Sequence, residues 1–276
     1  MRGSVLKDVL PRVIVEHDRV LPSHPERVAF VASWGADAQV SRSLATLVDE
    51  LARGGYVVIV IRASDATDPL VWPEPPNAIV VRKPNIGYDF GSWATGMALY
   101  PQLLRAPFVL LANDSLVGPF GSLQPMLEDF ETRDTDVWGA TNTLQFSPHL
   151  QSYLLGFRNG MLRDRPVRTF WRTLVDHDDK QQIIDQYEIG LSELLHVEAY
   201  VTSAWIDHAQ VVEPGENPVI RGWRRLVQLG FPFVKREIIT NPSVVADGVR
   251  ARETVRAAFG EDPMDWLPTT PDTKPR

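Results

Sequence analysis

The chain contains no cysteine. That excludes disulfides, thiolate zinc sites and cysteine nucleophiles, and it fits a reducing compartment. No apolar run approaches the roughly 20 residues of a membrane-spanning helix. Basic residues are outnumbered, with 28 Lys and Arg against 35 Asp and Glu and a formal net charge of −7. No overall positive field therefore exists to attract nucleic acid. Residues Met1–Val9 carry charges where a signal peptide needs its apolar core, so the expected location is cytoplasmic. Three site signatures are also missing: G-x-G-x-x-G behind a strand, the Walker phosphate loop and the G-x-S-x-G elbow. Their absence weakens the cases for a dinucleotide oxidoreductase, a P-loop kinase and a serine hydrolase.

What is present suits one large α/β domain: 276 residues, 44% hydrophobic and 23% charged. Residues 1–26, with Pro11, Pro22 and Pro25, read as an N-terminal arm. Val28–Ser33 and Tyr56–Ile61 are buried-strand runs, joined by a helix that Ser41 caps and Gly54-Gly55 ends. This βαβ opening predicts a mostly parallel sheet with helices on both faces. Ala78–Arg82 is a third strand, and Asp89 is placed to cap a helix running to about Tyr100. Further strands are expected at Asp136–Thr141, Gln151–Phe157 and Val201–Trp205. A helix capped by Asp178 or Asp179 carries Ile183, Tyr187, Leu191 and Leu194 as its inward stripe. The main domain is expected over 27–240, with a C-terminal helix in 241–276 and disorder from Pro263 onward.

The chain pivots on Pro107–Phe120, where an apolar strand stops abruptly at Asn113-Asp114-Ser115. Ligands of open α/β sheets collect outside such carboxyl ends. A carboxylate there, beside an amide and a hydroxyl, suits a divalent cation and, through it, a diphosphate. The same tripeptide also suits a turn that caps local backbone groups.

Five blocks in series resemble the rhamnan synthesis F family of glycosyltransferases. They are Asn85–Gly91, Leu111–Phe120, Asp136–Thr141, Gln151–Tyr153 and Tyr187–Ser192. The resemblance covers roughly residues 28–240. It implies a GT-A-like, Rossmann-type fold that transfers a sugar, typically rhamnose from dTDP-rhamnose, onto a cell-surface polysaccharide. A lipid-linked glycan acceptor is in keeping with that chemistry.

On this reading Asp114 holds Mg²⁺ or Mn²⁺ against the donor diphosphate, with Asn113 and Ser115 assisting. GT-A enzymes commonly carry Asp-x-Asp there, whereas the outer positions here are Asn and Ser. Without a metal, Arg62, Arg82 or Lys83, each at a strand end, would have to neutralise the phosphates. Each also reads as a solvated strand-end charge. Ser33, at the end of the first strand, joins the donor-binding set. Asn85, Gly87, Tyr88 and Asp89 form a second wall, where Gly87 lets backbone approach a ligand and a helix N-terminus favours an anion. Glu188, at the border of the inward stripe, is the candidate general base, against the ordinary reading of a surface glutamate.

His149, His177 and His208 read as exposed loop histidines, and Trp93, Trp138 and Trp205 as core rather than sugar-stacking residues. Arg221, Arg224, Arg225, Lys235 and Arg236 alternate with Trp223, Leu226, Val227, Leu229, Phe231 and Phe233. Such a segment can lie on an anionic bilayer, here the inner face of the plasma membrane. Its alternative is a helix packed on the sheet with arginines at the rim. The competing function from another class is a non-catalytic sugar-nucleotide or glycan-binding module of the same fold.

Overall fold

Runs of β-branched and other apolar residues decide where the sheet lies, because strands covered on both faces need side chains that are apolar at every position. The computed structural model describes residues 3–177 and 179–267. It opens with a short helix, α1 (Val5–Val9), and strand β1 (Ile14–His17), followed by β2 (Arg27–Trp34), α2 (Arg42–Arg53), β3 (Val57–Ala63) and β4 (Ile79–Lys83). Helix α3 (Tyr88–Leu99) leads to β5 (Phe108–Asn113), the two-residue β6 (Leu116–Val117), α4 (Gln124–Thr132) and β7 (Val137–Thr143). Then come β8 (His149–Leu150), β9 (Leu154–Arg158) and α5 (Arg165–Arg172). Next, α6 (Lys180–Ile183) and α7 (Gly190–Val197) flank a π-helical turn over Ile184–Ile189. The chain continues through β10 (Thr202–Ile206), α8 (Pro218–Arg221), α9 (Trp223–Gln228), β11 (Val234–Lys235), α10 (Arg236–Thr240) and α11 (Ala251–Phe259).

The nine-stranded sheet has the order β1-β4-β3-β2-β5-β9-β7-β10, with β8 paired to β7. Strands β4, β3, β2 and β5 are parallel; β9 runs antiparallel to both β5 and β7, and β10 is parallel to β7. This is the mostly parallel α/β sheet expected. Alternation along β2 feeds two cores: Val28, Phe30 and Ala32 face α1, α3 and α5, while Ala29 and Val31 face α2 and α4. Ser41 caps α2 as expected, its hydroxyl accepting from the Leu44 N–H at 3.2 Å.

Three expectations change. The N-terminal arm is part of the domain: Val5 and Val9 are fully buried and β1 pairs antiparallel with β4 as an edge strand. An apolar helix face hidden in a proline-rich stretch too short for periodicity explains the difference. The C-terminal part is likewise continuous with the fold, because Val117, Phe120, Trp223 and Ile238 share a third core with Val255 and Trp266. Trp266, beyond the position where disorder was expected to begin, packs edge-on against Phe120 at 5.1 Å between ring centres. The remainder of that tail, residues 268–276, lies outside the described residues, as does Asp178. Asp89 does not cap α3, because the helix begins one residue earlier; Gly87 holds the cap position with φ +79°.

Gly156 lies in β9 between β5 and β7, where a Cβ would run into the buried ring of Phe130. Gly156→Ala should lose ~1–3 kcal/mol in urea unfolding. Phe130→Leu in the same chain should recover part of that loss, showing non-additivity between the two positions.

Candidate functional site

Strand order reverses at β2. Its neighbours are β3, which follows it, and β5, to which the chain returns only after building β4. The carboxyl ends of β2 and β5 therefore flank a topological switch point, where open α/β sheets leave a crevice. The polar residues closing these strands meet there. Ser33 Oγ donates to Asp114 Oδ2 at 2.7 Å, and the Trp34 N–H reaches the same oxygen at 3.4 Å. From β3, Arg62 Nη1 donates to Ser33 Oγ at 2.7 Å and to the Trp34 carbonyl at 2.9 Å, and lies 3.8 Å from Asp114 Oδ2. The Arg62 and Asp114 side chains are only 5% and 12% exposed. On the other side, Arg236 donates from Nη2 to the Asp114 carbonyl at 2.7 Å.

Asp114 thus faces back into the sheet, while its neighbours face forward. Asn113 Nδ2 donates to Asp89 Oδ2 at 3.0 Å, and Asn113 Oδ1 accepts from the Ser115 N–H at 3.1 Å. Asp89, Asn113, Ser115 and Tyr88 line a cleft of about 320 Å³ that Glu188 also lines. The strand end and the candidate base therefore share one cleft. Glu188 belongs to the π-helical turn, a local widening of the helix that is frequent at functional sites. Its Oε1 accepts from the Ser152 N–H at 2.9 Å and lies 3.9 Å from His149 Nε2. Tyr153 lines the same cleft with its hydroxyl 2.6 Å from Thr141 Oγ1. Burial pushes that phenol far above its ordinary value, so it stays protonated.

The second wall is built differently from expectation. A Cβ on Gly87 would sit 2.8 Å from a Val5 methyl and 3.1 Å from Gly91 Cα, so Gly87 serves helix packing as well as the left-handed turn. Its N–H is taken by Asp176 Oδ1 at 2.9 Å, so the anion at this helix start is the protein's own carboxylate. Asn85 is half-buried in the preceding loop and lies outside the cleft lining.

The strand-end cations are neither solvated nor turned toward a ligand. Arg62 is committed as described. Arg82 donates to the Ala66 and Asp68 carbonyls, each at 2.7 Å, and pairs with Glu16 at 2.8 Å. Lys83 is buried, with Nζ donating to the Pro84 and Ile86 carbonyls at 3.1 and 2.7 Å. These bonds shape the loop that aims Gly87, Tyr88 and Asp89. Burial pulls its ammonium down to about 8, against the opposing pull of Asp89, Asp176 and Asp65.

The donor set around Asp114 does not fit a Mg²⁺ or Mn²⁺ held by protein side chains. One carboxylate oxygen is engaged by Ser33 and Trp34 beside a guanidinium, and among the described residues no three His, Asp or Glu side chains converge as metal ligands.

Two of the three histidines are buried rather than exposed. His149 sits in β8 against Glu188, and His177 stacks near Tyr187 with Nδ1 3.0 Å from Gln182 Oε1. His208 is half-buried and bonded to Asn142. Trp93 and Trp138 are core residues, donating to the Ala112 carbonyl and to Asp129 at 2.9 and 2.8 Å, and Trp205 packs near Phe231. The basic, aromatic segment is not one helix but α8, α9, β11 and α10, and Trp223, Leu226, Val227, Phe231 and Phe233 are buried. Its apolar face is taken up by the cores, which leaves none to lie on a bilayer. No helix among the described residues is long and apolar enough to cross a membrane.

The cleft also holds residues to which the sequence reading gave no part in donor or acceptor binding: Gln151, Asn217, Phe146, Glu237 and Lys235. Gln151 and Asn217 bond to each other at 3.2 Å across 66 positions. No local pattern announces such a pair. Phe146 carries one signal, an aromatic among polar loop residues; it is 71% exposed, with φ +67°.

Lys83 gives the site a measurable pH signature. Between about 8 and the ordinary lysine value near 10.4, the folded chain has shed a proton that the unfolded chain retains, so Lys83 should make stability rise with pH there. Below pH 8 its penalty is fully present. Subtracting the melting curve of Lys83→Met from that of the wild type should isolate the rise; a difference independent of pH would contradict the buried ammonium.

Comparison with known proteins agrees with this architecture. The model of the rhamnan synthesis protein F family matches residues 77–256. The chain is 30% identical over 199 residues to virulence protein VirA of Vibrio anguillarum, a match covering 60% of this chain and 64% of the relative. It is 24% identical over 151 residues to the uncharacterized protein y4gN of Sinorhizobium fredii, covering 53% of this chain and 39% of that one. The chain thus spans less than two thirds of the length of these relatives. The five sequence blocks and a family match over most of the sheet converge: the chain belongs to the rhamnan synthesis protein F family.

Proposed function

We propose that the protein is an inverting glycosyltransferase that moves rhamnose from dTDP-rhamnose onto the glycan of a cell-surface or cell-wall polysaccharide, with a lipid-linked chain as a natural acceptor. One observation carries this reading: Glu188 and the polar end of β5, at the topological switch point, line the same cleft. Transfer needs a base for the acceptor hydroxyl, charge compensation for the departing diphosphate and polar groups that orient the sugar. Glu188, held by the Ser152 N–H, takes the proton as the hydroxyl oxygen bonds to the anomeric carbon. The bond from that carbon to the diphosphate breaks, and the nucleotide leaves with the electron pair. Because a single base facing the leaving group suffices, the configuration inverts.

Lys235, in the cleft wall, is the cation assigned to the diphosphate, and Asp89, Asn113 and Ser115 are assigned to donor hydroxyls and phosphate. Asp114, Ser33 and Arg62 act behind them by holding β2, β3 and β5 at fixed spacing. No step runs through a metal.

The binding-module reading draws support from Asp114, whose carboxylate is engaged internally where a transferase would be expected to use it on the donor. Two measurements separate the readings. dTDP-rhamnose should raise the melting temperature, more than dTDP-glucose does, and Lys235→Ala should weaken that effect about tenfold in concentration. Glu188→Gln should keep the stabilisation while lowering transfer ~10²–10⁴-fold. Full stabilisation without turnover in the wild type, over a range of glycan acceptors, would support the module instead.

A further inference from the structure

A second, larger cavity adjoins the cleft. It has a volume of about 590 Å³ and shares the side chain of His149 with the Glu188 cleft. Its walls are the end of β7 (Asn142, Thr143), helix α7 (Ser192, His196) and strand β10 (Thr202, Ser203). We propose that this cavity is the acceptor site and takes a neutral saccharide, whose reacting hydroxyl meets Glu188 at the His149 wall. The proposal rests on the transfer reading above and adds the second substrate to it.

The two cavities differ in whether a cation is at hand. The Glu188 cleft has Lys235 in its lining, beside the carboxylates of Asp89, Glu188 and Glu237. Among the described residues that line the larger cavity there is no lysine or arginine, and Glu193 is the only carboxylate. A diphosphate would find no compensation there, whereas an uncharged polyol needs none. The lining instead offers hydroxyl, amide and imidazole groups beside apolar surface from Leu144 and Val197, which are 37% and 78% exposed. A sugar ring presents the complementary pattern, with C–H faces and an O–H rim. The volume falls in the ordinary range for small-molecule sites, ~300–1,000 Å³.

His149 fits the junction. Its Nδ1 lies 2.7 Å from the Ser147 carbonyl, which can only accept, so that nitrogen carries a hydrogen. Nε2 is thereby turned toward Glu188 Oε1 at 3.9 Å. A hydroxyl delivered past this ring loses its proton to Glu188, and its oxygen forms the new bond to the anomeric carbon as the bond to the diphosphate breaks.

The test uses saturation-transfer NMR on the full chain with three neutral disaccharides: an α-linked rhamnose disaccharide, maltose and N,N′-diacetylchitobiose. At least one should receive saturation from the wild type. Val197→Trp, at an exposed position on the cavity rim, should cut that signal at least fivefold, as should His196→Ala. Stabilisation by dTDP-rhamnose should persist in both variants. If none of the three disaccharides binds, or if binding is unchanged in both variants, the cavity is not a saccharide site, and the donor reading stands on its own data. If saccharide binding is lost in the variants but dTDP-rhamnose never stabilises the wild type, the saccharide site stands and the transfer reading fails.

Discussion

The structure depends on a small ionic knot at the switch point. Ser33, Arg62 and Asp114 come from the ends of three adjacent parallel strands, and their side chains bond to one another where water is scarce. A buried pair of this kind adds little net stability, because desolvating both charges costs about as much as their attraction returns. Its value is geometric. Neither charge can leave without stranding the other, so the ends of β2, β3 and β5 keep one spacing. The forward-facing Asn113 and Ser115 are aimed by that constraint, as is Asp89 through its bond with Asn113.

A second constraint sets the opposite wall. The helix after Asp179 widens into a π turn, and Ser152 at the turn between β8 and β9 donates its N–H to Glu188. The carboxylate is held by backbone rather than by a flexible partner. Buried residues on either side, Tyr187 and Ile189, tie the turn to the core. The two walls meet through long-range bonds such as Gln151 to Asn217 and the β6–β11 pair, which brings Lys235 opposite Leu116. The C-terminal third of the chain is thus part of the site's architecture rather than an appendage.

Lys83 shows the same division of labour. Its position at a strand end suggested a ligand-facing cation, yet it lies under the loop it organises, donating to the carbonyls of Pro84 and Ile86. Along Asn113-Asp114-Ser115 the middle side chain is engaged by the sheet while its two neighbours line the cleft. The alternation follows from strand geometry, since successive side chains point to opposite faces.

The principal parallel strands, the Ser41-capped helix and the family were legible in the sequence, because these rest on local periodicity, turn chemistry and ordered short blocks, whereas the edge strand β1 was not. The sequence also marked Asn113, Ser115, Tyr88, Asp89 and Glu188, five of the residues that line the cleft. Tertiary structure alone decided that Asp114 and Arg62 face each other, that His149 joins two cavities, that the basic segment buries its aromatic face, and that α1 and Trp266 belong to the cores. The physical reason is common to all four. A side chain's direction and its partner across tens of residues depend on strand order and packing, which pair positions that no local window contains.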